Sequence, residues 1–171
     1  MEVNIKISKL IDSAVIPKYM TEGAAGFDLV ATSKRVTNSY IEYGTGLAFE
    51  IPVGYEMDLY PRSSISDYTL SQCNSVGVVD SDFRGEVKIR FNRQPNIDGT
   101  KFSLFTHEYE IGDRVGQGII REVIKAKFSE VPYDQLSLTD RGSGGFGHTD
   151  ASKVKHSDES NEEQINNTNE E

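Results

Sequence analysis

The chain has a single cysteine, Cys73, among its 171 residues. An intrachain disulfide is therefore impossible, and a zinc site built from several cysteines is excluded with it. That scarcity fits a reducing intracellular compartment, so the expected location is the cytoplasm, of a host cell if the protein is viral. Long apolar runs are missing too: none approaches the roughly 18 residues of a membrane-spanning helix. The start, Met1-Glu-Val-Asn-Ile-Lys6, lacks the basic stretch and apolar run of a secretory signal. A cationic excess is also absent: 18 Lys+Arg face 27 Asp+Glu, a net charge of -9. Nucleic-acid and membrane partners are therefore not expected, since a nucleic-acid backbone is normally met by a clustered basic face. A few local arginines and a divalent cation can still draw in a small anionic substrate.

No segment carries a sustained helical stripe; a short helical turn around Ser66–Ser71 is the only candidate. Alternation of period two is what the chain has instead. Val3, Ile5 and Ile7 share one face of a strand, as do Val87, Ile89 and Phe91. Further short apolar runs lie at 46–51, 55–60, 102–105 and 115–120. Turn residues separate them at Glu22-Gly23, Pro52-Val-Gly54, Asp98-Gly99 and Ile111-Gly-Asp113. Many short strands between glycine and proline turns predict an all-β sandwich or barrel over residues 1–150. Residues 151–171 are polar and acidic, with 2 Lys+Arg against 6 Asp+Glu. Such a tail buries too little surface to offset its ordering entropy and is expected to be disordered.

Two segments concentrate chemistry. Gly77-Val-Val-Asp-Ser-Asp-Phe-Arg-Gly85 sets the Asp80 carboxylate at the end of an apolar run, three residues before Phe83. Partial desolvation there would raise the carboxylate's basicity and suit it to activate water; the same residues also suit a hairpin Asx turn. Phe83 is either a platform for a sugar or base, or a core residue. Arg141-Gly-Ser-Gly-Gly-Phe-Gly-His-Thr149 is a glycine-rich arm or a plain linker, although Phe146 inside the glycines calls for something to dock on. Pro61-Arg-Ser-Ser64 offers a guanidinium and two hydroxyls to phosphate. Gln117 shares a strand face with Val115 and Ile119, so its amide needs a partner, either backbone or substrate. Gly116 and Gly118 beside it suggest close approach of a ligand or another chain. Carboxylate, aromatic platform and gripping arm together suggest hydrolysis of a nucleotide.

In order along the chain these segments resemble the five motifs of the trimeric dUTPases. Ala25-Gly-Phe-Asp-Leu29 resembles the first, Pro61–Ser64 the second and Gly77–Gly85 the third. Gly112-Asp-Arg-Val-Gly-Gln117 is similar to the fourth and Arg141–Thr149 to the fifth. The resemblance implies a β jelly roll of the β-clip type, assembled as a homotrimer whose active sites are shared between chains, with a mobile C-terminal arm at 139–150. It implies cleavage of dUTP to dUMP and pyrophosphate, which limits uracil in DNA and supplies dUMP for dTMP synthesis. Asp80 would be the general base, with Gln117 at the α-phosphate, and Arg62, Ser63 and Ser64 on the phosphates. Asn74 would read uracil with main-chain groups at Gly77 and Val79, and Phe83 would pack under deoxyribose where the family usually has Tyr. Phe146 would stack on the base, with Arg141, Gly147, His148 and Thr149 gripping the terminal phosphates. The expected cofactor is Mg2+, held through the triphosphate and water, with Asp28 in its outer shell.

The chain departs from the family pattern at Ser64, where Gly is commonest, at Gly116 and Gly118, where Ala and a larger aliphatic are usual, and at His148. The departures at Gly116 and Gly118 would loosen their strand. Residues 92–108 form a longer insert than the minimal family loop, with a surface hairpin expected at Pro95–Gly99. Two other readings compete. A dCTP deaminase, alone or bifunctional, would carry a glutamate ten residues after Asp80, where this chain has Arg90. A nucleotide-binding regulator would act on a protein partner through the 92–108 insert or the tail.

Overall fold

Period-two alternation becomes strands at nearly every place it occurs. The computed structural model describes residues 2–74, 76–94, 96–98, 101–103 and 107–145, with only the backbone for 96–98 and 101–103. Among them twelve strands form: β1 (Lys6–Lys9), β2 (Phe27–Val30), β3 (Ser33–Val36), β4 (Ile41–Gly44), β5 (Leu47–Glu50) and β6 (Tyr55–Tyr60), then β7 (Leu70–Gln72), β8 (Gly77–Val79), β9 (Lys88–Arg93), β10 (Asn96–Asp98), β11 (Lys101–Ser103) and β12 (Arg114–Glu122). No α-helix occurs among the described residues. One antiparallel sheet has the order β2-β12-β6-β8 and a second the order β3-β4-β9-β7; β1 pairs with β5 and β10 with β11. The expected all-β jelly-roll class is the observed one. The chain divides into two compact units, Met1–Ala126 and Lys127–Glu171.

In the first unit, Leu29, Met57, Leu59 and Val115 of one sheet and Ile41, Tyr43, Ile89 and Phe91 of the other belong to a single buried cluster. Each such side chain contributes about 1.5–3 kcal/mol on burial. Charges on the outer faces are neutralised locally. Asp58, buried on β6, receives Arg121 Nε at 2.8 Å and the Tyr60 hydroxyl at 3.1 Å. The insert contains the expected hairpin, Asn96–Asp98 against Lys101–Ser103, and an Arg93–Glu108 ion pair of 2.8 Å closes its base. Pro95 and Gly99 lie outside the described residues.

Three local expectations are corrected. The N-terminal alternation appears in the burial of Val3, Ile5 and Ile7, yet pairing begins only at Lys6. The helical turn is a 3₁₀ turn at Ser63–Asp67, while Leu70–Gln72 is strand. Leu70 is buried and lies opposite Arg93 of β9, so partner pairing overrides the local turn chemistry. Gly116 and Gly118 admit core side chains rather than a ligand. A Cβ at Gly116 would collide with Ile89 Cδ1, and one at Gly118 would lie 2.6 Å from Phe27 Cε2 and 3.0 Å from Met57 Sδ. Ile89 and Phe27 fill the space that larger residues would take, so the glycines tighten β12 against its neighbours instead of loosening it. Gly118→Ala is expected to lower stability by about 1–3 kcal/mol through overpacking, read as a shifted denaturant midpoint with an unchanged slope.

In the second unit the described residues 127–145 hold a 3₁₀ turn at Tyr133–Gln135 and a tight turn in which Arg141 Nε donates to the Gly144 carbonyl at 2.7 Å. Phe146, Gly147, His148, Thr149 and the 151–171 tail lie outside the described residues.

Candidate active site

Strand register assembles the first group of site residues. β12 is central in its sheet, and Gln117 lies opposite Asp28 of β2 on one side and Tyr60 of β6 on the other. Two motifs distant in sequence therefore meet in one row, beside the residue that leads into a third. A bulge between Arg114 and Gly116 precedes that row and re-aims the start of β12. The turn leading into it is built by Asp113, whose carboxylate accepts from the Glu110 N–H at 2.7 Å, and by Gly112 at φ 97°.

From this row the chain leaves β6 through Pro61 into the 3₁₀ turn. Arg62 Nε donates to Asp28 Oδ1 at 2.8 Å, and Arg114 Nη1 to Asp28 Oδ2 at 3.2 Å. Asp28 thus bridges two guanidiniums, and its two oxygens retain further lone pairs. Arg62 Nη1 also reaches Ser64 Oγ at 3.4 Å, a long contact. Gln117 resolves its alternatives toward backbone in this state: Nε2 donates to the Pro61 carbonyl at 3.1 Å, fixing the approach to Arg62. Two guanidiniums on one carboxylate leave a net positive group, beside the Ser63 and Ser64 hydroxyls, suited to a polyanion.

The second group surrounds a pocket of about 540 Å³ lined by Asn74, Gly77, Val79, Asp80 and Phe83. Gly77 is small for a reason: a Cβ there would lie 3.0 Å from Asn74 Nδ2 and 3.1 Å from Leu59 Cβ. Leaving β8, the Phe83 N–H donates to the Asp80 carbonyl at 3.1 Å, closing a turn that Arg84 Nη1 caps through the Ser81 carbonyl at 2.7 Å. Phe83 is 45% exposed, so it is not a core residue. Its ring lies over Gly85, where a Cβ would come within 2.6 Å of Phe83 Cζ. Asp80 is exposed rather than partly desolvated.

The pocket's far wall holds Glu42, buried against Arg90 Nη2 at 2.7 Å and Arg35 Nε at 3.2 Å. Burial pushes the Glu42 carboxyl up, but hydrogen bonds from Arg90 and Arg35 outweigh it and hold it below the usual range. Desolvation pushes the thiol of the exposed Cys73 up, and the Arg90 charge pulls it partly back.

The two groups do not meet. Val79 pairs with Met57 on one side of β6 and Gln117 with Tyr60 on its other side. Asp80 follows Val79 there, whereas Arg62 follows the C-terminal end of β6, and none of Asp28, Arg62 and Gln117 lines the pocket. Three contributors escaped sequence reasoning. Arg114 stood inside the fourth motif without a role, although a Gly-Asp-Arg turn before a strand was a usable signal. Gln72, whose Nε2 donates to the Leu59 carbonyl at 2.9 Å and reaches Asn74 Oδ1 at 3.4 Å, had no signal. Neither did Tyr109.

No group of three or more His, Cys, Asp or Glu side chains capable of holding a metal occurs among the described residues. A divalent ion carried by a polyphosphate needs no such cage, and the spare lone pairs of Asp28 fit a water-mediated contact to one.

Comparison with known proteins agrees with this arrangement. The dUTPase family model matches residues 12–150. A deoxyuridine 5'-triphosphate nucleotidohydrolase of Helicobacter pylori is 38% identical over 155 residues, covering 89% of this chain and 100% of its own. The protein of the same name from Nautilia profundicola is 38% identical over 150 residues, covering 86% and 99%. Among solved structures, a dUTPase of Staphylococcus bacteriophage 80alpha bound to dUPNHPP superposes with a TM-score of 0.69 at 23% identity, covering 85% of this chain and 97% of its own. A dUTPase of phage phi11 of S. aureus, described as coordinating a structural Mg(II) ion, gives 0.61 at 20% identity, covering 78% and 99%. With its five motifs in order, two of them aligned by the register of β12, this chain belongs to the dUTPase family.

Proposed function

We propose that this protein hydrolyses dUTP to dUMP and pyrophosphate at sites shared between the chains of a homotrimer. One observation carries the reading: β8, which leads to Asp80, and β12, which carries Gln117, flank β6 on opposite sides, and none of Asp28, Arg62 and Gln117 lines the pocket that holds Asp80. On this reading the row of a second copy brings Arg62, Ser63, Ser64 and Gln117 to the phosphate beside Asp80.

The pocket suits a deoxyuridine. β8 is the edge of its sheet, so one side of its backbone at Gly77 and Val79 is available to the donors and acceptors of a base. Asn74 adds an amide to the same edge. Cytosine would leave such groups mispaired, a large penalty in a closed site. A 5-methyl group would crowd the hairpin, which excludes thymine. Phe83 lies flat under the deoxyribose and leaves no room for a 2′-hydroxyl.

In the reaction, the Asp80 carboxylate accepts a proton from a water as its oxygen attacks the α-phosphorus. The bond from that phosphorus to the bridging oxygen breaks, and pyrophosphate leaves with the electron pair. Arg62, Ser63 and Ser64 stabilise the charge that develops on the leaving group, and Gln117 orients the α-phosphate. Mg2+ bound to the triphosphate, with Asp28 in its outer shell, would supply additional charge neutralisation. Arg141, Phe146, Gly147, His148 and Thr149 would close over the nucleotide.

The test is a panel of dUTP, dCTP, dTTP and UTP with Mg2+, with pyrophosphate and ammonia both measured and the oligomeric state taken by light scattering. Pyrophosphate from dUTP alone, by a trimer, is the expected result. Ammonia from dCTP would overturn it in favour of deamination, although Arg90, bound to Glu42, stands where that chemistry needs a glutamate. A fully active monomer would overturn the shared site.

A further inference from the structure

Tyr109 is buried to 1% exposure in the segment between the insert and β12. Its ring is clamped by three others: Tyr43 edge-on at 5.9 Å, Phe91 at 5.6 Å and Tyr68 at 3.9 Å between centroids. Its carbonyl accepts from the Tyr43 hydroxyl at 2.9 Å. Backbone and ring are therefore fixed, and the phenol oxygen has little freedom to search for a partner. Yet among the described residues that oxygen has no hydrogen-bond partner. A buried hydroxyl in that state is destabilising, and in a native fold it calls for an explanation.

Ser64 supplies one. Burial, and secondarily Tyr68, push the Tyr109 phenol up to about 12, while the Arg62 charge and the Ser64 side chain pull it down. The phenol thus remains a donor throughout the working pH range, and the 3₁₀ turn that carries Ser64 packs against its segment: Tyr68, which follows that turn, lies on the Tyr109 ring, and His107 Nδ1 is 2.7 Å from the Asp67 carbonyl. Ser64 Oγ itself accepts a long contact of 3.4 Å from Arg62. A serine hydroxyl has one hydrogen to give and two lone pairs. If its hydrogen points outward to an anion, its lone pairs turn back toward Arg62 and Tyr109. Both mismatches are then removed together.

We propose that Tyr109 is a positioning residue for phosphate binding: its phenol donates to Ser64 Oγ and thereby directs the Ser64 O–H onto a phosphate oxygen of the substrate. This rests on the dUTP reading above, in which Ser64 holds the phosphates. Ser64 is one of this chain's departures from the family pattern, and Tyr109 gives that departure a use. The free protein holds an unpartnered phenol, and the bound state would satisfy it.

Tyr109→Phe tests the idea because it keeps the clamped ring and removes only the oxygen. The melting temperature is expected to stay or rise, since a group unsatisfied in the free protein is lost. KM for dUTP is expected to rise about fivefold, the worth of one ordinary hydrogen bond, with kcat changed less than twofold, because the interaction is made in the ground and transition states alike. Ser64→Ala should raise KM at least as much, and adding Tyr109→Phe to it should change nothing further. Unchanged kinetics in Tyr109→Phe, or an equal additional loss in the Ser64→Ala background, would overturn the proposal. Should Tyr109→Phe not fold, an unchanged KM in Ser64→Ala alone would overturn it. A wild-type protein inert toward dUTP would overturn the underlying reading as well; an active wild type with an indifferent Tyr109→Phe would overturn this inference alone.

Discussion

Replacing Asp80 with Asn is expected to reduce kcat for dUTP about 10²–10⁴-fold, the usual contribution of a positioned general base. Binding of a non-hydrolysable analogue should persist, and stability should be unaffected. The geometry supports that separation. The turn after β8 is held by the Asp80 main chain, through its carbonyl and the Phe83 N–H, and no described residue bonds its carboxylate. Asn has the same shape and keeps the turn, but it does not accept the water's proton. Single-turnover pyrophosphate release, alongside titration with the analogue, distinguishes lost chemistry from lost binding. Retained turnover would remove Asp80 from the mechanism.

Asp28→Ala has the second largest expected effect, a fall of about 10–100-fold in kcat/KM, corresponding to the roughly 1.5–3 kcal/mol of a charge-assisted hydrogen bond. Asp28 holds Arg62 and Arg114 side by side, and without it the two guanidiniums repel and lose their common direction. The pairs are partly exposed, so the accompanying stability loss should be under about 1 kcal/mol. Raising Mg2+ separates the two roles available to Asp28. Recovery of activity at high Mg2+ would place its main work in the metal's outer shell. A deficit insensitive to Mg2+ is expected, because the arginine contacts are direct, whereas a contact to the metal would run through water.

The motifs were legible because each packs unusual residue types into a few contiguous positions. Asp80 and Phe83 share one turn, and Arg62, Ser63 and Ser64 share another. Strands were legible where one face is buried and the other is not, as in β9 with Ile89 and Phe91 inward between Lys88 and Arg90. The 3₁₀ turn was misplaced because Leu70 answers to a partner strand twenty-odd residues away, which no local pattern encodes. Gly116 and Gly118 looked like room for a ligand; the space belongs to Ile89 and Phe27, side chains whose approach depends on neighbouring strands.

Residue types and spacing were enough to point to an all-β chain and to single out a carboxylate, an aromatic and a set of candidate phosphate ligands, since these are properties of short segments. Which of those segments become neighbours was settled by pairing across the sheets. Gln117 stands between Asp28 and Tyr60 because β12 lies between β2 and β6, and Asp80 is carried away from Tyr60 because β8 runs antiparallel to β6 on its other side. Hydrogen-bond register between strands distant in sequence depends on how buried faces match in the folded core, and a chain's local periodicity carries no record of that match.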